Sequence, residues 1–289
     1  MNTYIKKIIF RDNTINQINT FESDEIGAPT VILYPAMGVR ASYYKDFASR
    51  LSSVGIHCIT IDWRGYGKSN VRPSRKINHG FQVLINDMNE VVDYTRHTFP
   101  NSKIYLTGHS LGGQIGSLFS VRYFNKIKGL ILIAAGTPYY KAWNEFGAWK
   151  LKLGGRIFYP VSKLLGYYPG KLFGFGGKES TGVIKDWSYS AINGKYILSG
   201  SNFDYEKAMN KAELDVLSIS IKKDKLGCKD SVSDLLNRFK KAKIKNIEVS
   251  PEDSRIENLN HFNWAKQPNY FAEIIKQHIN NVTKKNEQI

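Results

Sequence analysis

The segment Tyr105-Leu-Thr-Gly-His-Ser-Leu-Gly-Gly113 joins a β-rich run to an amphipathic stretch with the length of a helix. A serine at so sharp a strand-to-helix turn adopts a strained backbone conformation, and the residues two positions away must be small. Gly108 and Gly112 meet that requirement. The segment therefore favours a nucleophilic Ser110 over a glycine-rich turn without a function.

Apolar, β-branched runs with the length of strands alternate with helical patterns on both sides of this turn. The predicted strands are Thr30–Tyr34, Cys58–Trp63, Lys103–Thr107, Gly129–Ala135, Val216–Ile221 and Ile244–Val249. The predicted helices are Tyr43–Val54, Phe81–Phe99, Leu111–Phe124, Ser231–Ala242 and Tyr270–Val282. This alternation predicts an α/β protein with a mostly parallel, doubly wound sheet that helices cover on both faces. Two further stretches, Ile5–Phe10 and Asn13–Phe21, predict an antiparallel hairpin at its edge.

The alternation stops in segment 138–209, which follows a predicted strand and is dense in aromatic residues and glycines. An insertion of this kind is a candidate lid over a site at the strand ends, although the rings could serve only as the small core of the lid itself. The sequence thus predicts a core made of residues 1–137 and 210–289, with residues 138–209 as an inserted helical lid.

Length and composition exclude several classes of protein. The chain has 289 residues, 42% of them hydrophobic and 23% charged, which is typical of a soluble globular protein and not of a collagen, a coiled coil or a disordered chain. The longest apolar stretch, Leu130–Ala135, is far too short to span a membrane. Because residues 1–10 lack the pattern of a secretory signal, we expect a cytoplasmic protein. Two cysteines cannot form a disulfide framework, and Cys58 is predicted to fill the core.

The formal net charge of +16 would allow attraction to anionic lipid surfaces, acyl-phosphate substrates or nucleic acid. The lysines are scattered along the chain, which favours a solvated basic surface and argues against a nucleic-acid interface. Residues 138–204 contain nine lysines and arginines and four acidic residues, a net charge of +5. Because the segment carries both aromatic rings and cations, we hypothesise that it makes weak, reversible contact with an anionic membrane.

Three local motifs carry a resemblance to a known family. They are Tyr34-Pro-Ala-Met-Gly38, Asp62-Trp-Arg-Gly-Tyr-Gly-Lys-Ser69 and the turn at Ser110, each placed after a predicted strand. With them the chain resembles the α/β-hydrolase superfamily, particularly the branch that contains serine aminopeptidases and monoacylglycerol-lipase-like enzymes. The resemblance implies the α/β-hydrolase fold and a structural role for the loop at Asp62.

In that family the chain order is nucleophile, acid and histidine, with the histidine in a loop before the last helix. The resemblance places the base at His261, the one histidine of six that lies in the loop directly before the final predicted helix. It places the acid at Asp224, in the exit from the strand Val216–Ile221, with Asp230 as the alternative. Asp230 could instead cap the following helix. Lys222 and Lys223 stand where the family often has glycine, and they could compete with His261 for Asp224.

The resemblance also implies two backbone donors that stabilise an oxyanion. One is the N–H of Leu111, directly after the nucleophile, and the other is the N–H of Met37, in the loop after the third strand. Pro35 occupies the place of a histidine that the family often has in this loop. A backbone donor at Met37 is compatible with this difference, because it does not depend on that side chain.

The function implied is hydrolysis of small-molecule carboxylic esters, with an apolar acyl group, through an acyl-enzyme on Ser110. Acyl transfer or thioester hydrolysis by the same three residues is the alternative, followed by peptidase activity. A binding module with an unused triad belongs to a different class and would not react with serine-directed probes. The mechanism requires no cofactor and no metal ion, and the sequence has neither metal-ligand spacing of Cys and His nor a P-loop.

Overall fold

The computed structural model describes residues 2–287, apart from the side chains of 145, 146 and 284–287. Within these residues eight strands form one central sheet, in the order β1-β2-β4-β3-β5-β6-β9-β10, and two further strands form a separate pair. The strands are β1 (Asn2–Ile9), β2 (Ile15–Glu22), β3 (Thr30–Tyr34), β4 (His57–Ile61), β5 (Ile104–His109), β6 (Gly129–Ile133), β7 (Tyr168–Pro169), β8 (Lys178–Glu179), β9 (Asp215–Ile221) and β10 (Lys243–Val249).

Six neighbouring strands of the sheet, β4-β3-β5-β6-β9-β10, are parallel to one another. In contrast, β1 pairs with β2, and β2 with β4, in antiparallel fashion. The predicted parallel sheet with an antiparallel hairpin at its edge is confirmed. Parallel pairing brings the carboxyl ends of β3, β5, β6 and β9 to one edge of the sheet, which is where doubly wound proteins form their binding sites.

Helices cover both faces of this sheet. The α-helices of the described residues are α1 (Lys45–Ser53), α2 (Phe81–Thr98), α3 (Leu111–Arg122), α4 (Glu145–Leu165), α5 (Thr181–Asn193), α6 (Tyr205–Lys211), α7 (Lys229–Leu236), α8 (Pro251–Ser254) and α9 (Pro268–Glu287), and those on the two faces include α1 and α9 on one side and α2 and α3 on the other. The prediction that the helix before β10 continues to Ala242 is wrong. After Leu236 the backbone tightens, since the N–H of Phe239 donates to the carbonyl of Leu236 three residues back, and Phe239 is buried in the core.

Two apolar layers form the core, one on each face of the sheet. Alternate residues of a strand point to opposite faces, and β3 shows this directly. Val31 and Leu33 pack with residues of α1 and α9, while Ile32 packs with residues of α2 and α3. Cys58 is fully buried in the layer of α1 and α9, as predicted.

The chain between β6 and β9 contains α4, α5 and α6 and the small β7–β8 pair. It lies against the loop that follows β3. The two backbones are so close there that a Cβ on Gly38 would come within 2.6 Å of the carbonyl carbon of Gly176. The buried carboxylate of Glu179 also accepts a hydrogen bond from the hydroxyl of Tyr66, in the loop after β4. The segment therefore packs over the edge of the sheet where the parallel strands end.

Candidate active site

Ser110 occupies the turn between β5 and α3, in a backbone conformation that L-residues rarely adopt. Its φ is 53° and its ψ is −115°. The backbone N–H of Ser110 donates to the carbonyl oxygen of Ile133, at 3.0 Å, which ties the turn to the neighbouring strand β6. Strain of this kind persists only where the surrounding structure enforces it, and it is concentrated at functional sites.

The two glycines around Ser110 have no room for a side chain. A Cβ on Gly108 would lie 2.2 Å from the backbone carbonyl carbon of Gly112. A Cβ on Gly112 would lie 2.3 Å from the carbonyl oxygen of Tyr34, on β3. Both neighbours are backbone atoms and cannot move aside, so the close approach of β3, β5 and α3 at this turn requires glycine at both positions.

His261 and Asp224 form a buried pair. The Nδ1 atom of His261 and the Oδ2 atom of Asp224 are 2.7 Å apart, and the two residues are 4% and 7% exposed. Asp224 lies in the turn after β9, and its second oxygen accepts a hydrogen bond from the N–H of Leu226 at 2.8 Å. His261 lies in the loop between α8 and α9. The fold thus brings together two residues 37 positions apart in the chain.

Asp230, the alternative acid, lies on the surface of α7 and has no hydrogen bond to His261. Asp230 is exposed in the first turn of α7, whose N-cap residue is Cys228, so Asp230 does not cap the helix. Lys222 and Lys223 are exposed, and both oxygens of Asp224 already have partners in His261 and Leu226.

The two predicted backbone donors belong to residues that line the same cavity as Ser110. Leu111 is the first residue of α3, where a backbone N–H has no acceptor within the helix. Met37 lies in the turn after β3, and it lines the same cavity as Ser110, Leu111 and His261. The indole N–H of Trp63 donates to the carbonyl of Pro35 at 2.9 Å, which holds the start of this turn.

Tyr44 and His109 link this turn to the segment of Ser110, and neither residue was predicted from the sequence to have a role. The hydroxyl of Tyr44 accepts a hydrogen bond from the N–H of Ala36 at 3.1 Å and lies 2.7 Å from Nδ1 of His109. Burial, and then the proximity of His261, lower the pKa of His109 well below its ordinary value. The His109 ring is therefore neutral, and a hydrogen bond joins its Nδ1 to the Tyr44 hydroxyl. The sequence carried only one signal for Tyr44, its place at the start of an apolar helix stripe.

A cavity of about 620 Å³ opens at Ser110. Its walls are mainly apolar and come from α4, from the loops at either side of that helix and from α5. Large side chains in these walls are Trp143, Trp149, Leu153, Ile157, Phe158, Phe175 and Trp187. The arrangement can hold an extended apolar group with one end at the Ser110 hydroxyl.

In residues 2–287 there is no group of three or more His, Cys, Asp or Glu side chains placed to hold a metal ion. Across the same part of the chain, no helix combines the length and the apolar character needed to cross a membrane.

Comparisons with known proteins agree with this architecture. The model of the serine aminopeptidase family matches residues 28–171. The monoglyceride lipase of Mus musculus is 27% identical over 110 residues, which are 37% of this chain and 36% of that protein. The pimeloyl-[acyl-carrier protein] methyl ester esterase of Shewanella sp. (strain MR-7) is 29% identical over 121 residues, 42% of this chain and 39% of that protein. The chain thus matches little more than a third of the length of these relatives.

Solved structures are similar over nearly the whole chain. DcsB in complex with its substrate analogue has a TM-score of 0.67 at 16% identity, with 97% of this chain and 99% of that chain covered. A putative lipase from Acinetobacter baumannii AYE has a TM-score of 0.66 at 16% identity, with 98% and 93% covered. At such low identity the similarity establishes the fold.

Proposed function

This chain belongs to the α/β-hydrolase superfamily, in the branch of serine aminopeptidases and monoglyceride-lipase-like proteins, and on that premise we propose that it is a serine hydrolase of carboxylic esters. One observation carries the proposal. The buried His261–Asp224 pair, 2.7 Å between Nδ1 and Oδ2, shares its cavity with Ser110 in a strained turn. A nucleophile, a base and a group that orients the base are the three parts that this chemistry needs.

The proton path follows from the Asp224 contact. An ionised carboxylate only accepts hydrogen bonds, so Nδ1 of His261 carries the proton and Nε2 has a free lone pair. Nε2 takes the proton of the Ser110 hydroxyl as the serine oxygen bonds to the carbonyl carbon of the ester. The negative charge of Asp224 stabilises the imidazolium that forms.

The remaining steps return the enzyme to its starting state. The carbonyl oxygen becomes an oxyanion, which accepts hydrogen bonds from the N–H groups of Met37 and Leu111. The bond to the alcohol then breaks, and the alcohol leaves with the proton held by His261. Water, deprotonated by His261, attacks the acyl-serine and releases the carboxylic acid, with the proton returning to Ser110.

The cavity favours an apolar acyl group. Its walls are dominated by the rings and aliphatic side chains of α4 and of the segments near it, such as Trp149, Leu153 and Phe158. Each methylene removed from water contributes about 0.8 kcal/mol, or about fourfold in affinity. Rate constants for hydrolysis should therefore rise with acyl length until the cavity is full.

Residues 138–209 act in this proposal as the lid that closes the cavity and meets a membrane surface. Leu164 and Leu172 are 72% and 83% exposed, and a lysine precedes each of them, Lys163 and Lys171. Apolar side chains beside cations suit the boundary between headgroups and acyl chains of an anionic bilayer. A membrane contact made by a few such residues would be reversible and weakened by salt.

The proposal is tested with p-nitrophenyl esters of two to twelve acyl carbons, using the wild type and Ser110→Ala. We expect kcat/KM to rise over the first several carbons, and Ser110→Ala to retain less than a thousandth of the activity while its circular dichroism spectrum is unchanged. Turnover by Ser110→Ala within tenfold of the wild type, or no turnover of any ester by the wild type, would overturn the proposal.

A further inference from the structure

Glu179 is a buried carboxylate in the segment that packs over the cavity. It is the last residue of β8 and is only 4% exposed. Among the described residues, no lysine, arginine or histidine forms an ion pair with it. Burying a carboxyl group away from cations is costly unless hydrogen bonds compensate, so the partners of Glu179 indicate its role.

Two hydrogen bonds end on one oxygen of Glu179, Oε1. The backbone N–H of Gly177 donates at 2.9 Å, and the hydroxyl of Tyr66 donates to the same oxygen. Because Tyr66 lies in the loop after β4, the second bond joins the segment over the cavity to the end of the sheet. The backbone is also close to the phenol, since a Cβ on Gly177 would lie 2.5 Å from the Tyr66 hydroxyl oxygen. Glu179 thereby fixes the backbone at Gly177 against the core.

The backbone that Glu179 holds belongs to a closed loop, residues 170–177. The N–H of Gly170 donates to the carbonyl of Gly177 at 2.6 Å, and the N–H of Phe175 donates to the carbonyl of Gly170 at 3.0 Å. These bonds tie the two ends of the loop together. A constraint on Gly177 therefore also constrains its neighbour Gly176.

Gly176 contacts the turn that carries Met37. A Cβ on Gly176 would lie 3.0 Å from Sδ of Met37 and 3.1 Å from Oε1 of Glu179. The next residue of the turn is as close, since a Cβ on Gly38 would come within 2.6 Å of the Gly176 carbonyl carbon. Gly176 thus lies between the Glu179 carboxylate and the turn after β3. Met37 and Gly176 both line the cavity at Ser110.

We infer that Glu179 is a positioning residue for ester hydrolysis, because it holds, through the backbone of loop 170–177, the turn whose Met37 N–H meets the oxyanion. The inference rests on the proposed function and adds to it a residue outside the triad and outside the cavity wall. A donor of this kind acts only when its N–H is aimed at the place where charge develops, and loss of one donor lowers kcat by about 10²–10³. A misplacement of about 1 Å can cost about a hundredfold in rate.

Removal of the acceptor tests the inference. Glu179→Ala leaves the Tyr66 hydroxyl and the Gly177 N–H without this partner, and we expect kcat to fall at least about thirtyfold while KM stays within about threefold of the wild type. The reason is that the oxyanion forms in the transition state and not in the bound ester. Steady-state kinetics with p-nitrophenyl octanoate measures both constants. The Ki of a trifluoromethyl ketone with the same acyl chain, which mimics the oxyanion, should rise by the factor by which kcat/KM falls.

Glu179→Gln is the conservative comparison. Both hydrogen bonds use a single oxygen, and burial raises the pKa of the carboxyl group, so a neutral amide with its oxygen in the same place can accept both bonds. We expect this variant to keep kcat within about fivefold of the wild type. A loss as large as that in Glu179→Ala would contradict a role through these two hydrogen bonds.

Asp186→Ala is the matched control for lost stability. Asp186 is another buried carboxylate of the same segment, 1% exposed, and it accepts hydrogen bonds from the N–H groups of Phe81 at 2.8 Å and Ser199 at 2.9 Å. None of these three residues lines the cavity at Ser110. Asp186→Ala should therefore lower the midpoint of thermal unfolding, as Glu179→Ala does, but leave kcat within about threefold of the wild type.

Tyr66→Phe serves as a milder variant if Glu179→Ala does not fold. It removes one of the two donors, and kcat should fall at least about fivefold at unchanged KM. An unchanged kcat in the folded variants of Glu179 and Tyr66, an equal loss in Asp186→Ala, or a rise in KM in place of the fall in kcat would overturn this inference alone. Absence of ester turnover by the wild type would overturn the proposed function, and this inference with it.

Discussion

The imidazole rings of His109 and His261 lie 4.8 Å apart, with His109 fully buried beneath the residue that binds Asp224. Tyr44 supports this arrangement, since its hydroxyl bonds both to Nδ1 of His109 and to the N–H of Ala36. One phenol therefore joins the strand-end turn of β5 to the loop that carries Met37. Ser110 and the predicted oxyanion donor are held at one relative position by a side chain that is fully buried and does not line the cavity.

The first prediction concerns this phenol. Tyr44→Phe removes the hydroxyl and leaves a buried N–H and a buried ring nitrogen without partners. A loss of this kind lowers the free energy of unfolding by about 1–3 kcal/mol. Urea denaturation followed by tryptophan fluorescence measures the change.

Tyr34→Phe is the matched control. Tyr34 is also a buried tyrosine, 2% exposed, but its hydroxyl has no hydrogen-bond partner among the described residues. Removal of that hydroxyl should leave the free energy of unfolding unchanged or slightly higher. Equal destabilisation by the two substitutions would contradict the bridging role of Tyr44.

A second prediction separates the two candidate acids. Asp224→Asn puts an amide NH2 or a weaker acceptor opposite Nδ1 of His261 and so favours the wrong tautomer, which in other triads lowers kcat by about 10³ or more. Asp230→Asn changes an exposed carboxylate on α7 and should alter kcat less than about tenfold. Steady-state kinetics with an activated ester measures both, and the reverse ranking would move the acid to Asp230.

The third prediction tests the close approach at the nucleophile turn. Gly112→Ala places a Cβ 2.3 Å from the backbone oxygen of Tyr34 and should destabilise the fold by about 3 kcal/mol or more. Gly116→Ala, one turn further along α3, meets only side-chain atoms, the tip of Leu106 at 3.2 Å and that of Leu130 at 3.6 Å. Because alanine favours a helix over glycine, this control should fall within about 1 kcal/mol of the wild type. Thermal unfolding compares them, and equal midpoints would argue against the tight packing.

A fourth prediction concerns the lid surface. The double substitution Leu164→Ser and Leu172→Ser removes two exposed apolar side chains from the segment over the cavity. It should reduce co-sedimentation with vesicles of phosphatidylglycerol and phosphatidylcholine at low salt. Ile26→Ser is the control, since Ile26 is fully exposed in the loop before β3, at the opposite end of the parallel strands. Equal, salt-independent recovery of all proteins with anionic and neutral vesicles would exclude the membrane contact.

Much of the core could be predicted because its strands are buried on both faces. The predicted strand Thr30–Tyr34 has the same bounds in the structure. Apolar runs of this kind are typical of a parallel sheet that helices cover on both sides. The helix α4 was not located within the predicted lid, since Pro160 and the glycines at 147, 154 and 155 obscure its periodicity. Its first turn after Asn144 is capped by that side chain, a local signal that the sequence does carry.

The contacts that complete the site could not be predicted from spacing. Tyr44 and His109 are 65 residues apart, and Tyr66 and Glu179 are 113 apart. Such pairs form because the sheet brings the loops after β3, β4 and β5 to one edge, and their partners depend on side-chain directions that no local pattern encodes.

The proposed mechanism depends on Ser110 as the nucleophile. Incubation of the wild type with a fluorophosphonate, followed by mass spectrometry of the intact protein and of its peptides, measures this directly. We predict one added phosphonyl group per chain, on Ser110, and none on folded Ser110→Ala. Modification at another residue, or an unmodified wild-type protein after prolonged incubation, would contradict the claim.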